Sequence, residues 1–209
     1  DADIGNGIAL DNSGNAIVTG EFKGTASFGS TTLTSNSGST DVFTTKLSSS
    51  GSFTWTEHGS GINTNRGIDV ACDGSGNIYV TGQFSGNITF DLVHSNTMLN
   101  VVFIVKYNSS GAEQWFRLIG AGNSNTPSAI ETDASGNVYF KSDEHKGEYN
   151  LFVLQNGVKK RLTNFSTSIM WPKVSANGKK VVFRKDYQLF IYDVDRKSTK
   201  KLKVNIFNN

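Results

Sequence analysis

A repeat with a period near 60 residues constrains this chain more than any other feature. Asp11-Asn12-Ser13-Gly14-Asn15 returns as Asp73-Gly74-Ser75-Gly76-Asn77 and again as Asp133-Ala134-Ser135-Gly136-Asn137. Between the first two copies the match continues. Thr19-Gly20-Glu21-Phe22 becomes Thr81-Gly82-Gln83-Phe84, and Phe43, Lys46, Gly51 and Trp55 become Phe103, Lys106, Gly111 and Trp115. Self-similarity at a fixed period defines a stack of equal units, each covering its neighbour's apolar face.

Each unit reads as four short strands, a to d. β-branched and aromatic runs bounded by Gly, Ser and Asn mark them, and no stretch sustains a helical apolar period. The first unit places them at 7–11, 16–22, 42–47 and 53–57. The second places them at 70–73, 78–84, 101–107 and 113–118. A third has strands at 137–141, 150–154 and 158–162, with Asn156-Gly157 as a tight hairpin turn. The fourth has 171–175, 180–184, 189–194 and 199–204. The b–c excursions at 23–40 and 85–100 read as long loops. In the Asp-x-Ser-Gly-Asn element, Asp caps a reversal and Gly takes a positive φ. It lacks the alternating carboxylates of a calcium loop.

The charge is asymmetric. Residues 1–138 hold 5 Lys/Arg against 12 Asp/Glu, and 139–209 hold 15 against 6, within a total of +2. Of the 22 glycines, 19 precede residue 139. Such a break marks either a basic partner-binding segment or two joined sequences. The Lys159-Lys160-Arg161, Lys179-Lys180 and Lys200-Lys201 groups fall on turns and outer strands, where lysine protects sheet edges. Nucleic acid is therefore a disfavoured partner.

Residues 1–138 resemble the SBBP-type bacterial β-propeller repeat, through Gly7-Ile8-Ala9-Leu10-Asp11, the Ser-Gly-Asn turn, Thr19-Gly20 with Phe22, and Gly51 with Trp55. Residues 139–209 resemble the tricorn- and TolB-type propeller repeat, through Tyr139-Phe140-Lys141-Ser142-Asp143, Arg161-Leu162-Thr163, Asn177-Gly178-Lys179-Lys180-Val181-Val182-Phe183 and Leu189-Phe190-Ile191-Tyr192-Asp193. The resemblances imply one all-β propeller domain of four consecutive four-stranded antiparallel blades, near 1–61, 62–122, 123–165 and 166–209. The change of family near 137–141 reads as a chimera, natural or engineered. Four blades make a closed ring or part of a larger one, since propellers have 4–8. Phe43, Phe103, Phe152 and Phe190 are expected between blades, with Trp55 and Trp115 closing their outer edges.

Little catalytic chemistry is legible. His58, His94 and His145 fall in expected loops, and no Gly-x-Ser-x-Gly elbow accompanies them. Metal and cofactor motifs are absent, so neither is expected. The one cysteine, Cys72, reads as a buried inert thiol. The longest apolar run, Val101–Val105, is far short of the ~20 residues of a membrane helix, and no signal peptide opens the sequence.

The expected function is a non-catalytic scaffold or binding module, with protein or a second copy as partner. The alternatives are a substrate-gating accessory propeller of a tricorn-like peptidase or other hydrolase, and a carbohydrate- or peptide-binding propeller. Loops carry function in such folds, so Asn63, Asn65, Arg66, Asn123 and Asn125 on the d–a crossings are the candidate ligand-binding residues. The family resemblance alone implies an extracellular or periplasmic setting.

Overall fold

A computed structural model describes residues 3–36, 38–95, 100–119, 129–144 and 147–203. They form β-strands and turns, without a helix. The chain divides into two compact units, Asp1–Ile130 and Glu131–Asn209. That division lies a few residues before the change of family resemblance.

In the first unit, β1 (Ile4–Leu10), β2 (Ala16–Phe22), a hairpin of β3 (Thr25–Phe28) and β4 (Thr31–Thr34), β5 (Asp41–Leu47) and β6 (Phe53–Gly59) follow in order. The sheet runs β1-β2-β5-β6, antiparallel throughout. The second sheet repeats this with β7 (Arg66–Cys72), β8 (Ile78–Phe84), a hairpin of β9 (Asn87–Thr89) and β10 (Val93–Ser95), β11 (Val101–Tyr107) and β12 (Glu113–Leu118). The excursions expected as loops thus each hold a hairpin. Their strands are three or four residues long and mostly polar, too short for period-two alternation to register.

Strands β1 and β7 also begin earlier than expected. Each is bulged, between Gly5 and Gly7 and between Gly67 and Asp69, which interrupts the sequence pattern. The repeated Thr-Gly pair has a steric purpose. A Cβ on Gly20 would stand 1.9 Å from the Ile4 carbonyl oxygen and 2.8 Å from the Phe43 ring. On Gly82 it would meet the Arg66 carbonyl oxygen at 2.2 Å and the Phe103 ring at 2.5 Å. The preceding threonines donate to the same strand: Thr19 Oγ1 to Phe43 O at 2.9 Å, Thr81 Oγ1 to Phe103 O at 3.0 Å. The phenylalanine ring therefore lies on a glycine bed in both sheets.

The two sheets of this unit stack face to face. Ile17 and Val42 of the first meet Val70, Ile78, Val80, Phe84, Val101, Phe103, Val105 and Tyr107 of the second, with Ile88 and Phe90 of the β9–β10 excursion in the same core. Trp55 closes the edge as expected, with its ring 6.3 Å from Tyr107 and Nε1 donating to Ser109 O. Ser60 and Thr89 exchange two backbone hydrogen bonds of 2.8 Å, tying the first sheet to the second sheet's hairpin. Phe103 sits between the sheets as expected. Phe43 does not: it takes the same orientation on its own sheet, which points it away from the second sheet, and it packs on Phe22, Phe28, Leu33 and Ala26 under its own hairpin.

The second unit holds β14 (Val138–Ser142), β15 (Asn150–Gln155) and β16 (Val158–Arg161), in a sheet whose first strand is β13 (Ile130–Thr132). The fourth sheet is β17 (Ile169–Val174), β18 (Lys180–Lys185), β19 (Gln188–Asp193) and β20 (Ser198–Lys201), again in sequential order. Val204, expected in its last strand, lies outside the described residues. Tyr139, Leu151 and Val153 meet Ile169, Val181, Phe183 and Tyr192 in one core, with Phe190 against it. The b–c connection of the fourth sheet is a two-residue turn, Asp186-Tyr187, with both φ positive (48° and 62°). In the first two sheets the corresponding connection carries a hairpin.

The Asp turn has one geometry three times over. Asp11, Asp73 and Asp133 each accept the backbone N–H of the residues two and four positions on, and the side-chain amide of the latter. Gly14, Gly76 and Gly136 have φ of 75°, 77° and 77°. Every carboxylate oxygen is engaged in shaping the turn. The fourth sheet uses Ser175 instead, whose Oγ accepts Lys180 N–H at 3.0 Å.

Candidate polar node at the first crossing

Of the residues expected to bind ligand, Asn63, Asn65 and Arg66 are brought together, and Asn123 and Asn125 lie outside the described residues. Asn63 and Asn65 stand on the d–a crossing, while Arg66 opens β7. The centre of the group is Asp41, the first residue of β5, whose side chain is fully buried. Its Oδ1 accepts Gly61 N–H at 3.1 Å and Asn65 Nδ2 at 3.4 Å. Oδ2 lies 2.9 Å from His58 Nε2 and accepts Asn36 N–H at 3.4 Å.

Asn65 is itself fully buried, and its amide also donates to Asn63 O at 2.8 Å. Asn63 Nδ2 donates to Ser85 O at 3.1 Å, reaching the next excursion. Arg66 Nε pairs with Glu21 Oε2 at 2.8 Å. These side chains brace the passage from the first sheet to the second. The Asn65 carboxamide oxygen remains buried without a hydrogen-bond partner.

His58 and His94 are not in loops: they lie on β6 and β10. His58 is in a strand because β6 runs two residues beyond the expected 53–57, and His94 because the second b–c excursion folds into a hairpin. His145 is outside the described residues. His94 Nε2 sits 2.8 Å from Glu113 Oε1, and its ring stacks on Phe116 at 3.9 Å. Glu113 Oε2 accepts Leu92 N–H, and Asp91 accepts Glu113 N–H at 2.7 Å. Nearby, burial and then the charge of Asp91 raise the Glu57 carboxyl to about 7. The Tyr107 hydroxyl is buried without a hydrogen-bond partner, and burial, then Glu57, Glu113 and Asp91, hold its pKa well above the ordinary range.

Both imidazole–carboxylate pairs have the orienting half of a nucleophilic site. Among the described residues no hydroxyl or thiol is hydrogen-bonded to either ring. Nor does any group of three His, Cys, Asp or Glu among them form a metal-binding set. Cys72 is partly buried against the inter-sheet core, and burial, followed by the charge of Asp11, pushes its thiol up to about 12. Much of the basic segment is paired locally: Lys159 with Glu144 at 2.5 Å, Lys173 with Glu131, Lys180 with Asp193, and Lys185 with Asp186.

Asp41 and His58 were missed in sequence, although a signal exists. At the repeat spacing of 60 they replace Val101 and Leu118. Two departures from the repeat that pair in space, one acidic and one basic, mark a local device.

No protein-family model matches the chain, and no curated protein does. Similar solved structures include TolB from Acinetobacter baumannii, at 13% identity and a TM-score of 0.43, covering 77% of this chain and 48% of that one. Dipeptidyl peptidase 4 from Porphyromonas gingivalis is similar at 12% identity and a TM-score of 0.41, over 94% of this chain and 36% of that one. The chain thus spans about half the length of the first and a third of the second. No helix among the described residues is long and apolar enough to cross a membrane.

Proposed function

We propose that the chain is a non-catalytic β-propeller scaffold or binding module, working outside the cytoplasm, with blades drawn from two lineages. The observation that carries this reading is the use made of its ionisable groups. Asp41 and His58 tie two strands of the first sheet to the crossing, Glu21 and Arg66 tie the first sheet to the second, and His94 and Glu113 tie a hairpin to its own sheet. Four sequential four-stranded sheets, stacked in pairs, are the blade arrangement of a propeller. Two lineages are supported by the b–c connections, hairpin-bearing in the first two sheets and two residues long in the fourth.

The test is turnover. Purified chain is incubated with chromogenic peptide, ester and glycoside substrates, beside a His58→Ala/His94→Ala double variant. Equal, background rates are expected. Hydrolysis by the parent that the double variant loses overturns the non-catalytic reading.

A further inference from the structure

The repeat supplies an internal control for one surface. In the second sheet Val70, Ile78, Val80 and Phe103 face the first sheet and are at most 4% exposed. Their counterparts in the first sheet are Ile8, Ala16, Val18 and Phe43. Of these, Ile8 is 68% exposed, Ala16 and Val18 are half-covered, and Leu10 and Phe53 alongside stand at 66% and 45%. Phe43 alone is sealed, by its own hairpin. Positions that a neighbouring sheet covers in the second sheet have no sheet over them within the first unit. What the surface accepts is therefore known from the next unit along: the face of another four-stranded sheet.

We propose that this surface docks the fourth sheet of a second copy of the chain, an inference that rests on the propeller reading above. Within the second unit, the fourth sheet buries one face against the third. Its other face carries Val182 and Ile191 side by side at the centre, half-covered, with Met170 and Leu189 36% and 41% exposed. Lys173, Lys180, Arg184 and Lys200 surround them on the same register. The charges are complementary: residues 1–130 hold 5 Lys/Arg and 10 Asp/Glu, and residues 131–209 hold 15 and 8. Such a joint is heterologous, and two of them between the same two chains close a dimer. The β3–β4 hairpin then takes the position of β9–β10, with Ser27, the counterpart of Thr89, offered to the incoming strand.

Light scattering of the full chain tests the proposal. The expected mass is twice 22.6 kDa. Ile8→Asp/Leu10→Asp and, separately, Val182→Asp/Ile191→Asp each lose one docking face and fall to monomer mass, with unchanged far-ultraviolet circular dichroism. Mixing the two variants restores a dimer, because each keeps the face the other lacks; this control also excludes simple misfolding. Monomeric parent protein at every concentration and salt overturns the proposal. So does a dimer indifferent to Ile8→Asp/Leu10→Asp, or a monomer in which Ile8→Cys resists a water-soluble thiol reagent, which would mean that the chain covers its own surface. A spectrum without β structure would instead overturn the propeller reading itself.

Discussion

Asp41 Oδ2 lies 2.9 Å from His58 Nε2, seventeen residues apart in sequence, and Asp41 Oδ1 holds the amide of Asn65 on the far side of the turn. One buried carboxylate thereby joins a strand start, a strand end and a crossing. Removing it leaves buried donors without an acceptor, which costs more than the bonds themselves contribute. Asp41→Ala is expected to destabilise the chain by about 3–5 kcal/mol in urea unfolding. The pair Asp41→Val/His58→Leu, which restores the residues of the next repeat, should cost less than the sum of its singles, by about 1 kcal/mol or more. Strict additivity would show that the two groups act independently.

Gly82→Ala is a steric test of the glycine bed under Phe103. The added methyl would sit 2.2 Å from the Arg66 carbonyl oxygen, a backbone atom that cannot swing away. A loss of about 3 kcal/mol is expected from such overpacking. Phe103→Ala in the same core should cost about 3–5 kcal/mol. Wild-type stability in Gly82→Ala would mean that β7 and β8 can separate freely.

Glu57 makes stability depend on pH. Its folded value of about 7 lies above the ordinary 4.5, so folding takes up a proton between those values. The stability it contributes is complete below about 4.5 and is lost as pH rises through about 7. The thermal midpoint should therefore fall from pH 5 to pH 8, and Glu57→Gln should flatten that slope. A parent profile that rises across this window would contradict the raised carboxyl.

Cys72 should be a poor nucleophile. The thiolate is the reactive form, and a thiol held near 12 ionises little at pH 8. Modification by a thiol reagent is expected to be at least about a hundredfold slower than for an unstructured cysteine, whose pKa is near 8.5. Comparable rates would place the side chain in open solvent.

Much of the fold was readable because the repeat ties local pattern to long-range packing. The Asp11, Asp73 and Asp133 turns and the fifteen blade strands placed in sequence needed little beyond turn chemistry and β-branched runs; the third sheet's first strand, Ile130–Thr132, was not placed. The two hairpins were not readable, since their strands are only three or four residues long and mostly polar. The site was harder. Of the expected ligand-binding residues, Asn65 is buried with its amide on Asp41, while Asn63 and Arg66 stay exposed and place an amide on Ser85 O and a charge on Glu21. Asp41 lay just before the expected strand at 42–47, and its role depends on a histidine that only chain reversal brings within reach.

The paired backbone bonds between Ser60 and Thr89 carry a mechanical consequence. They link sheets whose other attachments are mostly side-chain contacts, like a stitch through two layers of cloth. Pulled from its ends, the first unit should resist until that stitch shears, then give way in a single rip rather than leaf by leaf.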